Sequence, residues 1–204
     1  MNIILGVLII VLIGFIVLAS LTYNTGLLTG KAIYESPDGK KFTFLETKAG
    51  DVELHELQVF TSRFGVEHLY QIPLRNLPED VEFVSVDGKV VKKILESGGV
   101  FITLDPNLKA SASLGAIELA GVIGTAEFGV FKIPTQGAFT ESIDSEYLVK
   151  TCADAKDGVV VINLRLGEQS RVYSEGDCVI VEGDSYDNLI KSSERLIYSL
   201  LGVL

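Results

Sequence analysis

The sequence VVVINLRLGEQSRVYSEGDCVIVEG, residues 159–183, decides the fold of this chain because it holds three strand-like runs separated by two turns. The first run is rich in β-branched residues, which favour strands. Its apolar side chains alternate onto one face, at Val160, Ile162, Leu164 and Leu166. Polar and glycine-containing turns separate the three runs. The pattern predicts a C-terminal β-meander with strands at 159–166, 171–174 and 178–182.

A helix with a wide apolar stripe is predicted after the meander. Gly183 ends the third strand, and Asp184 or Ser185 supplies the N-cap. The solvent-exposed face of this helix is predicted to consist of Lys191, Glu194 and Arg195. The polar face lacks the basic character of a membrane-surface helix, so we expect the helix to pack on the sheet. The apolar positions recur at helical spacing, at Leu189, Ile190, Leu196, Ile197, Leu200, Leu201 and Leu204.

A second long helix is predicted upstream, over residues 105–126. A short buried strand at 100–104 precedes Asp105-Pro106, which supplies a cap and a proline at the first helical position. Small residues on one helical row permit close approach of another backbone, either of a second helix in lipid or of the domain's own sheet. The charges of Glu118 and Glu127 favour packing within the domain. The row consists of Ala112, Ala116, Ala120 and Gly124.

The N-terminal half of the domain is predicted to be mainly strands, with a further short helix at 145–152. Alternation predicts strands near 42–44, 52–60 and 66–72, and Pro73 and Pro78 close the last of them. Asp87-Gly88 between apolar runs is typical of a tight hairpin. The sequence therefore predicts a mixed α/β (α+β) fold: one compact domain of mixed sheet, with two long helices and a C-terminal β-meander plus helix, over residues 42–204.

The N-terminal sequence IILGVLIIVLIGFIVLASL, residues 3–21, contains no charged residue. At about 1.5 Å per residue, a helix of this length crosses a hydrocarbon core of about 30 Å. We predict a transmembrane signal-anchor at 1–21, followed by a flexible tether at 22–41 that ends in the turn sequence Pro37-Asp38-Gly39. Cleavage after Ala19 is the alternative. The missing basic n-region and the long apolar run favour a retained anchor.

Two features of the sequence indicate on which side of the membrane the C-terminal domain lies, and they disagree. Lysines 31, 40 and 41 follow the span, and positive charge beside a span favours the cytoplasm. Cys152 and Cys178 are disulfide candidates, which favours an oxidising compartment, whereas in the cytosol both would be buried thiols. We give the cysteines more weight. The prediction is a single-pass protein of the cell membrane with its C-terminal domain outside.

The charge of the chain limits its partners. Its formal net charge is -10, from 27 acidic and 17 basic residues. Nucleic-acid binding requires clustered Lys and Arg, so nucleic acid is excluded as a partner. Anionic lipid headgroups would repel the domain. We expect the lipid bilayer to be a partner through residues 3–21, together with a protein partner in the envelope, and the sequence identifies no small molecule.

No catalytic, cofactor-binding or metal-binding residue is predicted. The sequence contains no G-x-S-x-G, C-x-x-C or H-E-x-x-H motif. Its two histidines, His55 and His68, are too few for a usual catalytic zinc site, and we expect them not to pair.

The C-terminal blocks TCADA, VVVINLRLG, GDCVIVEG and LIKSSERLIYSLLGVL, with FITLDP and the Ala-rich helix before them, resemble those of uncharacterised membrane-anchored envelope proteins of small-genome archaea. The resemblance implies a single-span envelope protein of unknown role. It transfers no functional residue.

Three functions are compatible with these features. The first is a non-catalytic, membrane-anchored, extracytoplasmic domain that binds or scaffolds components of the cell envelope. The second is an exported, membrane-tethered enzyme of the hydrolase type, and the third is an accessory subunit of a membrane complex. We favour the first because it requires no catalytic motif.

Overall fold

Two β-sheets and three α-helices make up the part of the chain that a computed structural model describes, residues 30–63, 66–125, 129–142 and 147–204. The predicted span at 3–21 lies outside these residues, as do Ala19 and part of the predicted helix at 145–152. Among the described residues, no helix is long and apolar enough to cross a membrane.

The first sheet is antiparallel, with the strand order β1-β2-β3-β4. Its register places Phe44 opposite Leu57, and Leu57 opposite Ile72, which puts these three side chains on one buried face. Because β1 pairs with β2, the sheet begins before Phe42, inside the segment predicted as a tether. The strands are β1 (Lys31–Glu35), β2 (Lys41–Ala49), β3 (Val52–Arg63) and β4 (Val66–Leu74).

The second sheet is mixed, with the strand order β5-β9-β10-β8-β6-β7. Strand β6 pairs in parallel with β7 and β8, and β8 pairs in parallel with β10. A single mixed sheet was expected, whereas the chain forms two separate sheets. The strands are β5 (Ser85–Val86), β6 (Gly99–Leu104), β7 (Thr135–Phe139), β8 (Val159–Leu166), β9 (Arg171–Glu175) and β10 (Cys178–Gly183).

The prediction of a β-meander is wrong in strand order, although its three strands exist. Strand β10 lies between the other two, parallel to β8 and antiparallel to β9. Every residue of β10 is buried. A continuous apolar run of this kind is typical of a central strand covered on both faces, so β10 takes the central place and the more polar β9 flanks it.

The predicted hairpin at Asp87-Gly88 is also wrong, because Asp87 caps a helix. Helix α1 spans Gly88–Leu95, and the Asp87 carboxylate accepts a hydrogen bond from the Lys89 backbone N–H at 3.1 Å. Val90 and Ile94, four residues apart, are both buried. Helical spacing of apolar residues therefore prevails over the turn signal of the Asp-Gly pair.

The two long helices are present with altered bounds. Helix α2 spans Ala112–Ile123 and begins later than predicted, because Asp105 accepts the Asn107 N–H at 2.7 Å within a turn. Helix α3 spans Tyr186–Leu201, is capped by the predicted Ser185, and ends at Gly202, whose φ of 71° is left-handed. The predicted helix at 145–152 is wrong over its described residues 147–151, which form no helix, and a 3-10 helix begins only at its last residue and spans Cys152–Asp154.

Helix α3 lies between the two sheets. The Ser192 hydroxyl donates to the Glu182 carbonyl of β10 at 2.9 Å. Glu194, about 200° further around the helix, accepts hydrogen bonds from the loop after β4. The rings of Phe44 in β2 and Tyr198 in α3 meet edge to face, with centroids 6.0 Å apart. The first sheet, the helices and the inner face of the second sheet therefore share one core.

Helices α2 and α3 approach closely at Gly115. A Cβ atom on Gly115 would lie 2.8 Å from the Ser193 Cβ, closer than packed carbon atoms come. In the small-residue row, Ala112 and Ala116 are buried. The row packs within the domain, but the closest helix–helix approach is made by Gly115, which lies beside it.

We expect Gly115→Ala to lower the free energy of unfolding by about 1–3 kcal/mol through overpacking. Gly121→Ala, in the same helix, is the matched control, since a Cβ there meets nothing within 4 Å. Improved helix propensity should make that control more stable by up to about 1 kcal/mol. Urea denaturation measures both, and equal shifts of the two variants would contradict the close approach at Gly115.

The outer face of the second sheet is covered by the segment that carries the 3-10 helix. A disulfide joins Cys152 of this segment to Cys178 of β10, which confirms the predicted pairing. A small second core forms around it from Val161, Cys178 and Ile180, against which Phe101 and Tyr173 pack. The disulfide therefore fixes a covering segment onto the sheet face opposite the described α-helices.

Reduction of the disulfide is expected to lower the free energy of unfolding by about 3–4 kcal/mol, because the unfolded chain regains the entropy of the closed loop. Urea denaturation with and without a phosphine reductant measures the loss. The double variant Cys152→Ala and Cys178→Ala is the control and should not respond to the reductant. An unchanged midpoint for the reduced native chain would contradict a stabilising bond.

Candidate binding cleft

A cleft of about 400 Å³ lies between β4, the edge strand of the first sheet, and the C-terminal half of α2. Apolar walls with a few polar groups are typical of ligand sites. We refer to this space as the cleft. Its described lining residues are Glu56, Gln71, Ile72, Pro73, Ile117, Glu118, Gly121 and Val122.

Glu118 is the buried ionisable group of the cleft. Its side chain is 15% exposed, and its Oε1 lies 3.5 Å from Arg75 Nε without hydrogen-bond geometry. Its Oε2 is buried and has no hydrogen-bond partner. Burial, reinforced by the negative charge of Glu194, raises the pKa of Glu118 to about 8, although Arg75 acts in the opposite direction. Glu118 is therefore a largely neutral carboxylic acid at pH 7.

Glu194 lies behind Glu118 and is fully buried. Its two oxygens accept the Arg75 backbone N–H at 2.5 Å and the Asn76 side-chain N–H at 2.6 Å. Burial raises the pKa of Glu194 to about 7, and these hydrogen bonds oppose the rise. Because two donors face Glu194 and none satisfies Glu118 Oε2, we assign the negative charge to Glu194 and the proton to Glu118.

Tyr198 completes this arrangement, one turn after Glu194 on α3. Its hydroxyl donates to the Asn76 carbonyl at 2.5 Å. Burial raises the pKa of Tyr198, so the hydroxyl keeps its proton. We call Glu118, Glu194, Arg75, Asn76 and Tyr198 the Glu194 cluster. It fixes the loop after β4 onto α3, and thereby sets the distance between β4 and α2.

A second cleft, of about 410 Å³, opens beside α1. Lys89, Lys92 and Lys93 line it, but Lys93 already pairs with Asp177 at 3.0 Å, and the Lys92 side chain is 76% exposed. Surface lysines are well solvated, and exposed ion pairs are weak. We therefore place the candidate site at the cleft beside β4.

A charged cluster on the outer face of the second sheet has a structural explanation. Glu182 is 3% exposed and pairs with Arg165 and Arg171, each at 3.1 Å. The Arg171 guanidinium lies 4.5 Å from the centre of the Tyr173 ring. Gly167 leaves space for this carboxylate, since a Cβ there would lie 2.5 Å from Glu182 Cγ. One buried carboxylate thus holds both guanidinium groups in place.

The structure separates the two histidines. His55 pairs with Leu74 at one end of the β3–β4 hairpin, and His68 pairs with Thr61 towards the other. His55 and Thr61 are six positions apart on β3, which is about 20 Å of strand. Within the described ranges, no group of three or more His, Cys, Asp or Glu residues is placed to hold a metal ion.

Sequence reasoning missed the residues of the Glu194 cluster. Glu194 was predicted on the solvent-exposed face of α3, and this is wrong because its side chain is completely buried. A signal existed, since Glu194 follows Ile190 by four residues and precedes Ile197 by three, inside the apolar stripe. Arg75 and Asn76 carried no comparable signal, because their role depends on the contact of a loop with a distant helix.

Comparisons with models of protein families, with curated proteins and with solved structures find no match to this chain.

The raised pKa of Glu118 makes stability fall with rising pH. The folded state holds a proton that the unfolded state releases near pH 4.5, so the stabilisation is complete below that pH and is lost as pH rises to about 8. We expect the wild-type chain to lose about 2–4 kcal/mol between pH 5 and pH 8, and Glu118→Gln to lose clearly less.

Urea denaturation at the two pH values measures this loss. Glu96→Gln, on an exposed side chain of α1, is the control and should keep the wild-type slope. Glu194 also titrates in this range, so the slope of Glu118→Gln is reduced and not abolished. An identical slope in Glu118→Gln and wild type would contradict the assignment of the proton to Glu118.

Proposed function

We propose that this chain is a non-catalytic, membrane-anchored, extracytoplasmic binding domain of the cell envelope, and that the cleft is its ligand site. The observation that carries the location is the disulfide between Cys152 and Cys178. Disulfides of this kind persist in oxidising compartments and are rare in the cytosol. In this proposal the apolar segment at 3–21 is the anchor.

The character of the cleft supports binding over catalysis. Its walls include Ile72, Ile117 and Val122, and its two described ionisable groups are Glu56 and Glu118. An apolar cavity with a small number of polar groups is suited to holding a ligand in one orientation. The cleft also lies beside an edge strand, a place where proteins bind extended segments of other proteins.

The charge of the chain supports attachment through the anchor and not through the domain surface. A formal net charge of -10 opposes adsorption to anionic headgroups. The same charge favours basic partners, because opposite charge steers encounter and suppresses unsuitable partners.

The location is tested on the full-length chain with a C-terminal epitope tag, expressed in cells. We expect the protein to sediment with membranes, to resist extraction at high pH, and to dissolve in detergent. Protease added to intact cells should remove the tag. The double variant Ile10→Arg and Leu12→Arg, which places two charges in the span at a cost of about 2.5–3.5 kcal/mol each, should leave the membrane fraction.

Two results would contradict this location. Release of the wild-type protein at high pH would exclude a membrane span. A tag that survives protease until the cells are lysed would place the domain on the cytoplasmic side.

Glu118 favours an exported hydrolase as a second candidate. A carboxylic acid with a pKa of about 8 in a cleft is suited to act as a general acid, and Glu56 supplies a second carboxyl group in the same lining. Under the binding proposal, the purified full-length chain releases no product from peptide or glycoside substrates between pH 5 and pH 8. Turnover that is lost in Glu118→Gln would favour the hydrolase.

A further inference from the structure

We infer that the cleft takes a Lys or Arg side chain, carried by an extended segment of a partner protein that pairs with the free edge of β4. The inference rests on the proposed use of the cleft as a binding site and adds the chemistry of its ligand. It does not depend on the location of the domain.

The free edge of β4 supplies the backbone part of this recognition. Strand β4 pairs with β3 on one side, and no hydrogen bond between described backbone groups occupies its other side. Most of its residues are exposed, including Val66 to Leu69, Gln71 and Pro73. Unpaired N–H and C=O groups along an edge are a template for another strand. Pro73 has no N–H, so the available template is the part of β4 before it.

The position of α2 directs alternate side chains of an added strand into the cleft. Neighbouring strands lie about 4.8 Å apart, and successive side chains point to opposite faces of the sheet. The buried face of β4, which carries Ile72, is the face that meets α2 at Ile117 and Val122. Every second residue of a segment paired with β4 therefore points towards α2.

The electrostatics of the cleft favour a cation. Glu56 and Glu118 line it, and Glu194 lies directly behind Glu118. The lining residues of α2 are in its last two turns, where the helix dipole is negative. Arg75 is the cation that faces Glu118, and the described lining of the cleft itself contains no Lys or Arg. Both ionisable side chains of the described lining are therefore acidic, which favours a cation over an anion.

The walls of the cleft match the stem of a basic side chain. Lys and Arg lay their methylene groups along apolar surfaces and keep the charged head on a polar group. Ile72, Ile117 and Val122 provide the apolar surface, and the carboxyl group of Glu118, whose side chain is 15% exposed, provides the polar group. An aliphatic side chain of equal length would fill the same space but make no polar contact with this carboxyl group.

Binding of a cation should expel the proton of Glu118. The charged groups that act on Glu118 are Arg75 after β4 and Glu194 on α3, and Glu56 on β3 lines the same cleft. The Tyr198 hydroxyl lies within electrostatic range of both Glu118 and Glu194. An added ammonium or guanidinium group stabilises the ionised carboxylate, so affinity should rise with pH up to the pKa of Glu118.

The test selects peptides from a random seven-residue library on the full-length chain in lipid nanodiscs at pH 8. We expect selected peptides to carry Lys or Arg at one fixed position between strand-forming residues. Fluorescence anisotropy should then show that replacing this residue by norleucine weakens binding by about tenfold or more, equivalent to one lost charged contact. Affinity for the basic peptide should fall by about tenfold between pH 8 and pH 6, and Glu118→Gln should clearly reduce this dependence, while the titration of Glu194 leaves a smaller one.

Two control variants locate the bound peptide. Gly121→Leu fills the cleft from a position where a Cβ meets nothing within 4 Å, and should abolish binding while the chain stays folded. Gly137→Leu, at a similarly open position in β7, should bind as wild type does. N-methylation of alternate peptide amides should abolish binding, because it removes the donors that pair with β4.

Results other than those expected would each overturn a named part of the inference. Selected peptides that lack a basic residue but fail to bind Gly121→Leu would overturn the ligand chemistry and leave the cleft as a binding site. N-methylated peptides of unchanged affinity would overturn strand addition. If peptides bind Gly121→Leu as tightly as wild type, or if the selection yields no peptide, both the inference and the use of the cleft as a peptide site are overturned. The membrane location is tested separately, by the protease experiment.

Discussion

The buried carboxylate of Glu194 is the interaction on which the arrangement of the layers depends. Its two oxygens accept hydrogen bonds from Arg75 and Asn76, so the loop that leaves the first sheet is fixed to the helix that covers the second. Tyr198 adds a third hydrogen bond to the same loop. Removing one partner of a buried charge is strongly unfavourable, because the other partner remains desolvated. The position of β4 against α2 is thus defined by polar contacts that have few alternatives.

The same carboxylate explains why Glu118 is neutral. Two carboxyl groups that are close together in a buried setting do not ionise together, and the one with more donors keeps the charge. Glu194 has those donors, whereas Glu118 faces Arg75 without a hydrogen bond. A buried acid with an unpartnered oxygen is costly, and an apolar residue of similar volume would be as stable or more stable at this position. Its presence at the wall of a cleft is therefore better explained by a ligand than by the stability of the fold.

Strand positions were largely predictable from the sequence, whereas strand order and the cleft were not. Alternation identified β8, and the continuous run CVIVEG identified β10, because these patterns are local. The same patterns do not state which strands are neighbours, and β10 lies beside β8 because both of its faces must be covered. Asp87-Gly88 shows a different limit, since one dipeptide serves as a turn or as a helix cap according to the spacing of later apolar residues. The Glu194 cluster joins residues more than a hundred positions apart, and no local pattern encodes such a contact.

The topology of the first sheet relates the proposed anchor to the proposed ligand. The chain enters this sheet at β1, while the cleft lies at β4, the opposite edge. Three strand spacings separate the two edges, about 14 Å. In the proposed arrangement, an anchor that precedes β1 attaches to the sheet at the edge opposite the cleft. In that arrangement the edge of β4 must be protected from pairing with other copies of this chain. The β3–β4 hairpin supplies part of this protection through Pro73, which lacks an N–H, and through the charge of Glu67. Both features permit a chosen segment to pair while they disfavour uncontrolled association, which is what a binding site on an exposed edge requires.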